Sequence, residues 1–156
     1  MPCVGPSLRA CRSGAHSATD WAAGGWDLDQ TIALSKVLKE HGVDVMDVST
    51  GGIMSGVSIP VKPNYQVPFS EQVKAKADIP VTAVGLITKP KQAAKILAHG
   101  EADAVEIGRA ALRDPYWPLR AANKLGIPST EIPLRPRNTW PVRTKSSWGG
   151  NFPMGR

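Results

Sequence analysis

The chain has 156 residues, 42% of them hydrophobic, with a mean hydropathy of −0.18. That is enough for one domain with a real core, and it describes a globular, soluble chain rather than a disordered or membrane-spanning one. No stretch reaches the roughly 18 uninterrupted apolar residues of a transmembrane helix, and Arg9 and Arg12 interrupt any apolar core of a signal peptide at the N-terminus.

The net charge of +6 and a pI near 9.6 invite a nucleic-acid reading, but position matters more than the total. Residues 17–126 hold twelve Lys/Arg and twelve Asp/Glu. Residues 1–16 carry Arg9 and Arg12 with no acid, and residues 127–156 carry five bases against Glu131. The positive excess therefore sits in the flanks, and the middle has a balanced, enzyme-like surface. Both cysteines, Cys3 and Cys11, fall in the N-terminal flank without Cys or His partners at ligand spacing, so no metal site is assigned.

In chain order, residues 1–16 show neither helical nor strand period and read as irregular. Residues 17–27 form a loop rich in turn residues, with Gly24-Gly25 before Trp26. Asp27 is a plausible N-cap for a helix from Leu28 to about His41, with Leu28, Ile32, Leu34, Val37 and Leu38 as its apolar stripe and Gly42 at C′. Val43–Ser49 alternates as a strand should. The following loop, IMSGVSIPVKPNYQVP, holds three prolines that rule out a continuous helix, and its length suggests a functional or packing role. A helical pattern covers Phe69 to about Ala77.

From Val81 to Arg109 the sequence reads VTAVGLITKPKQAAKILAHGEADAVEIGR. An apolar strand (Val81–Val84) ends at Gly85, and Thr88 caps a helix that Gly100 stops. A second strand (Asp103–Ile107) ends at Gly108-Arg109. This is a βαβ unit and implies a parallel sheet. A short helix through Arg113 and a last one over about Leu119–Leu125 follow, and residues 127–156 show no period. Three consecutive β/α units do not close a barrel, which requires eight strands. Glycines at the carboxyl ends of two successive strands, with an arginine after the second, suit a phosphate. A residue without Cβ lets backbone amides approach closely, a helix start favours anions, and the guanidinium fork matches phosphate oxygens. The same glycines can simply turn the chain, and Arg109 can be a solvated charge.

The motifs SATDW, GGWDLDQ, GVDVMDVSTGG, NYQVPF, ADIPVTAVGLIT, ADAVEIGRAALRDPYW and AANKLG resemble the C-terminal part of old yellow enzyme proteins, over residues 17–126 and in order. The branch they resemble is that of the thermophilic-like ene-reductases. The resemblance implies an α/β fold, the C-terminal portion of a (β/α)8 barrel covering about strands 6–8. It implies an FMN-dependent enzyme that oxidises NADPH or NADH and reduces activated C=C bonds of enal- or enone-type acceptors. It places the FMN phosphate at Val84, Gly85, Leu86, Gly108 and Arg109. On the same basis Tyr65 and Gln66 pack over the barrel end, Asp20, Trp21 and Trp26 stabilise a strand exit loop, and Tyr116-Trp117 pack the last helix. His41 and His99 fall at helix ends and are not assigned catalytic roles.

The resemblance also implies parts that have no counterpart here. The family's substrate-orienting His pair and tyrosine proton donor belong to its N-terminal part, so no catalytic residue is assigned. Its arginine near the flavin ring corresponds to Ala15, and Trp140-Pro141-Val142-Arg143 only faintly resembles its terminal segment. The expectation is three parts, with a non-homologous flank at 1–16, a partial FMN-binding barrel at 17–126 and an irregular basic tail at 127–156. Such a chain would be a truncated or mis-spliced form, inactive alone, cytoplasmic, able to self-associate and without a membrane partner. The alternatives are a basic-tailed nucleic-acid binder and a non-catalytic interaction fragment.

Overall fold

The computed structural model describes residues 10–128. The chain divides into two compact units, Met1–Gly108 and Arg109–Arg156.

The first unit alternates strand and helix: β1 (Ser13–Ser17), α1 (Leu28–Glu40), β2 (Val45–Ser49), α2 (Val67–Ala77), β3 (Val81–Ala83), α3 (Pro90–Ala98) and β4 (Ala104–Val105). The four strands form one sheet in the order β1-β2-β3-β4, and every pairing is parallel. An all-parallel sheet of sequential strands joined by helices is the architecture of β/α units, as in a segment of a (β/α)8 barrel. Met46, Val48, Val81 and Ala83 are all completely buried, alternating with the half-buried Asp47 and Thr82. Ile32 of α1, Val73 of α2 and Ile96 of α3 complete the core from the helices. One sheet face is thus apolar under helices while the other carries polar groups.

Local signals explain the helices. The Asp27 carboxylate accepts from the Gln30 amide at 2.9 Å and the Gln30 side chain accepts from the Asp27 amide at 3.0 Å, a reciprocal cap that starts α1. Gly42, at φ 88°, and Gly100, at φ 73°, follow α1 and α3 in the left-handed region that favours glycine. Pro68 and Pro90 occupy the first turns of α2 and α3, where a missing N–H is tolerated.

The sheet has one strand more than the three expected. Ser13–Ser17, which begins in the stretch read as irregular through residue 16 and ends one residue beyond it, pairs with Val45–Ser49 in continuous register. SGAHS has no apolar run. Pairing with β2 makes it a strand, helped by mutual bonds in which the Arg12 amide donates to the Asp44 carboxylate at 2.9 Å and the Asp44 amide to the Arg12 carbonyl at 2.8 Å. The other differences are of boundary. The N-cap of α3 is Lys89 rather than Thr88, and the last strand is two residues long rather than five.

The second unit contains α4 (Arg109–Arg113) and α5 (Trp117–Lys124). The Asp114 carboxylate accepts from the Arg120 guanidinium at 2.6 Å, pairing the turn between the helices with α5. Helix α5 starts two residues before the expected Leu119, with Pro118 in its first turn. Trp140–Arg143 and the rest of the expected tail beyond residue 128 lie outside the described residues.

Candidate functional site

Val84, Gly85 and Leu86 follow β3 directly, and Gly108 follows β4, the strand beside it. Because β3 and β4 are parallel, both segments leave the sheet at its carboxyl end, where α/β sheets bind ligands. Four of the five sequence-assigned positions therefore share one end of one sheet. The fifth, Arg109, opens α4 in the second unit. It is exposed, and its carbonyl accepts from the Arg113 Nε at 3.2 Å.

The chain turns sharply after β3. Gly85 has φ +122° and Leu86 has φ +52°, two successive residues on the positive side. Gly85 is buried, and a Cβ placed on it would lie 3.2 Å from both the backbone nitrogen and the Cβ of Gln66. Glycine is needed there for the conformation and for the close approach of the loop that leads into α2. Gly108 is exposed, and a Cβ on it would meet no atom within 4 Å. Among the described residues, packing gives no reason for that glycine.

The loop after β3 is held from two sides. The Asn64 amide donates to the Gly85 carbonyl at 2.9 Å. Gln92, in the first turn of α3, accepts through Oε1 from the Thr88 amide at 3.0 Å and the Lys89 amide at 3.3 Å. Its Nε2 donates to the Leu86 carbonyl at 2.9 Å and to the Asn64 side chain. Gln66 is buried, and its Oε1 accepts from the Thr50 hydroxyl at 2.9 Å. Tyr65 is half-buried beside it. The packing role expected for Gln66 is therefore what the structure places there, directly against Gly85.

Trp21 and Trp26 stabilise the loop after β1. Trp21 meets Phe69 edge-on at 5.4 Å and Trp26 meets His16 edge-on at 5.0 Å. The Trp26 indole donates to the Thr31 hydroxyl at 2.6 Å, and its backbone amide donates to the Asp20 carboxylate at 2.8 Å. Burial lowers the His16 pKa against an opposing pull from Asp20. His41 and His99 terminate α1 and α3 as expected.

Sequence reasoning missed two features. Gln92, Asn64 and Thr50 were not singled out. The one signal for Gln92 is a glutamine three residues after a helix cap. The second feature is a polar row on the sheet face opposite the apolar core, running from β2 and β3 to Glu106 just after β4. The Thr82 hydroxyl lies 3.3 Å from the Asp47 carboxylate and 2.8 Å from the Glu106 carboxylate. Burial, and then the charge of Glu106, raise the Asp47 pKa, with the Thr82 hydrogen bond opposing and a Glu106 hydrogen bond reinforcing the rise. A separate open cleft, lined by Lys74, Asp78, Pro80 and Asp103 among others, lies at the amino ends of β3 and β4 and includes no assigned residue.

The sequence pattern of the NADH:flavin oxidoreductase / NADH oxidase family matches residues 15–127. An NADPH dehydrogenase of Geobacillus thermodenitrificans is 44% identical over 124 residues, covering 80% of this chain and 36% of that relative. An NADPH dehydrogenase of Listeria monocytogenes has the same identity and coverage. The chain spans about a third of the length of these curated relatives. Among solved structures, a dihydropteroate synthase of Xanthomonas albilineans is 23% identical with a TM-score of 0.49, covering 78% of this chain and 46% of that one. A likeness of that size carries no argument about ligand or mechanism.

Proposed function

This chain belongs to the NADH:flavin oxidoreductase / NADH oxidase family, and on that premise we propose that it carries the part of a flavin site that grips the FMN phosphate. The gripping residues are Val84, Gly85 and Leu86 after β3, Gly108 after β4, and Arg109. The observation that carries the reading is the family match across residues 15–127, which includes all five positions. Their chemistry fits a phosphate dianion. The β3 loop presents backbone around a buried glycine, Gly108 leaves open surface where a side chain would stand, and an arginine follows it with a permanent charge.

In the whole family protein, bound FMN would supply the redox chemistry, accepting hydride from NADPH or NADH and passing it to an activated C=C acceptor. The residues of this chain bind and orient. The turn at Gly85–Leu86 sets the height of the loop above the sheet, and Arg109 neutralises phosphate charge. Acceptor binding and proton donation are assigned by the resemblance to residues that have no match in these 156 positions. Hydride transfer needs the reacting atoms held about 3–3.5 Å apart. The 156-residue chain alone is therefore expected to bind flavin without oxidising NADPH.

The test is titration of the purified chain with FMN and with riboflavin, which lacks the phosphate, followed by flavin fluorescence and by NADPH consumption. FMN is expected to bind more tightly than riboflavin, and Arg109→Ala to reduce that preference about tenfold, the scale of a charged hydrogen bond. Equal affinity for the two flavins would overturn the phosphate assignment. Flavin-coupled NADPH oxidation by the chain alone would overturn the inactivity.

A further inference from the structure

We infer that Gln92 is the positioning residue that sets the β3 loop for a phosphate, an inference that rests on the flavin reading above. A glutamine side chain offers two N–H donors and an oxygen with two lone pairs. At Gln92 all four are used. Oε1 takes the Thr88 and Lys89 amides, and Nε2 gives to the Leu86 carbonyl and the Asn64 side chain. The amide has one possible orientation, because backbone N–H groups lie on one side of it and a carbonyl lies on the other. Four groups spread over residues 64–89 are thereby pinned to one point on a rigid helix.

The pinning acts on the loop at its strained place. Leu86, whose carbonyl Gln92 holds, has φ +52°, and Gly85 before it has φ +122°. Positive φ at a leucine persists only where surroundings impose it. Asn64 closes the circuit. It stands at φ +67°, its amide donates to the Gly85 carbonyl, and its side chain accepts from Gln92. The long loop after β2 and the loop after β3 are thus fastened to each other through Gln92. Without this side chain the Leu86–Lys89 backbone loses three constraints and the Asn64 side chain a fourth, while Thr88 and Lys89 are exposed and their amides can turn to water. The fold should tolerate that loss better than a ligand site does, since a site depends on where amides point.

The experiment compares wild type, Gln92→Ala and Asn64→Gly in the full chain. Asn64→Gly removes one Gln92 partner while keeping a residue that accepts positive φ. Two readouts are taken, hydrogen exchange of the amides at 85–89 and the ratio of FMN to riboflavin affinity. Faster exchange confined to this loop is expected for Gln92→Ala, with a fall of about tenfold in the FMN preference and unchanged riboflavin affinity. Asn64→Gly should shift both readouts in the same direction by less, and it serves as the test if Gln92→Ala does not fold. A drop in melting temperature with the FMN preference intact would mark Gln92 as merely structural and overturn the inference. Unaltered exchange at 85–89 would overturn it as well. Wild-type chain that does not prefer FMN over riboflavin would instead overturn the flavin reading and, with it, the phosphate role of Gln92.

Discussion

Gly85 and Gly108 follow adjacent parallel strands and look alike in sequence, yet the structure treats them in opposite ways. Gly85 is buried at φ +122°, with Gln66 where its side chain would be, and its carbonyl is bonded to Asn64. Gly108 is exposed, and among the described residues nothing stands within 4 Å of where its Cβ would be. The first glycine is explained by the protein's own packing. The second is not explained by packing among the described residues, and the proposed phosphate site offers a reason that measurement can test. A glycine at a strand end is thus a stronger functional sign when folding does not require it.

Three measurements sharpen or break that contrast, and one more probes the polar sheet face apart from it. The largest effect is expected for Gly85→Ala, which forces a side chain into a backbone region disfavoured for it and against the Gln66 main chain. We expect a loss of about 2 to 3 kcal/mol in denaturant unfolding, and a neutral result would remove the packing explanation. Next, Thr50→Val leaves the buried Gln66 Oε1 without its donor and should cost about 1 to 2 kcal/mol. If stability is unchanged, Gln66 is not the fixed wall that makes Gly85 necessary.

The third measurement concerns the polar sheet face, which lies apart from both glycines. The folded-state pKa of Asp47 is raised, so the folded chain binds its proton more readily than the unfolded chain does. Its contribution to stability is fully present below the ordinary aspartate value and is lost as pH rises through the raised folded value. Melting temperature followed from neutral pH downward should therefore show a stabilising component in the mildly acidic range that Asp47→Asn removes. Parallel profiles for the two proteins would sink the idea. Loss of His16 neutrality acts in the opposite sense. Its folded pKa is lowered, so its contribution is present above the ordinary histidine value and lost as pH falls through the lowered one. An Asp47→Asn comparison cancels that term.

The smallest stability effect belongs to Gly108→Ala, expected within about 0.5 kcal/mol of wild type. Its FMN affinity should nonetheless fall if backbone approach to phosphate is the reason for the glycine. An alanine that changes neither stability nor flavin binding would leave Gly108 with no role in the phosphate grip.

Much of the fold was legible because helix signals are local. Asp27, Gly42 and Gly100 act within a turn of their own place in the chain, so they mark the start of α1 and the ends of α1 and α3, and α2 was legible from its pattern over Phe69 to about Ala77. The alternating stretch Val43–Ser49 and the short apolar run Val81–Val84 were equally readable, since a strand that buries one face or both shows it in its residue period. The candidate phosphate positions came from motifs and their order, and residue patterns can also show that Gly85 and Gly108 end strands.

Tertiary structure decided what depends on distant partners. SGAHS becomes β1 because β2, some thirty residues later, offers its backbone in register. The Thr82 hydroxyl reaches Asp47 and Glu106, 35 and 24 residues away in sequence, because three strands stand side by side. Gln92 meets Asn64 across 28 residues, and Gln66 reaches Gly85 only when the β2 loop folds back over β3. Sequence by itself determined the family, the helices and the places of three of the four strands, since these rest on short-range chemistry. Which of two similar glycines the fold requires was set by long-range contacts, and no local pattern records those.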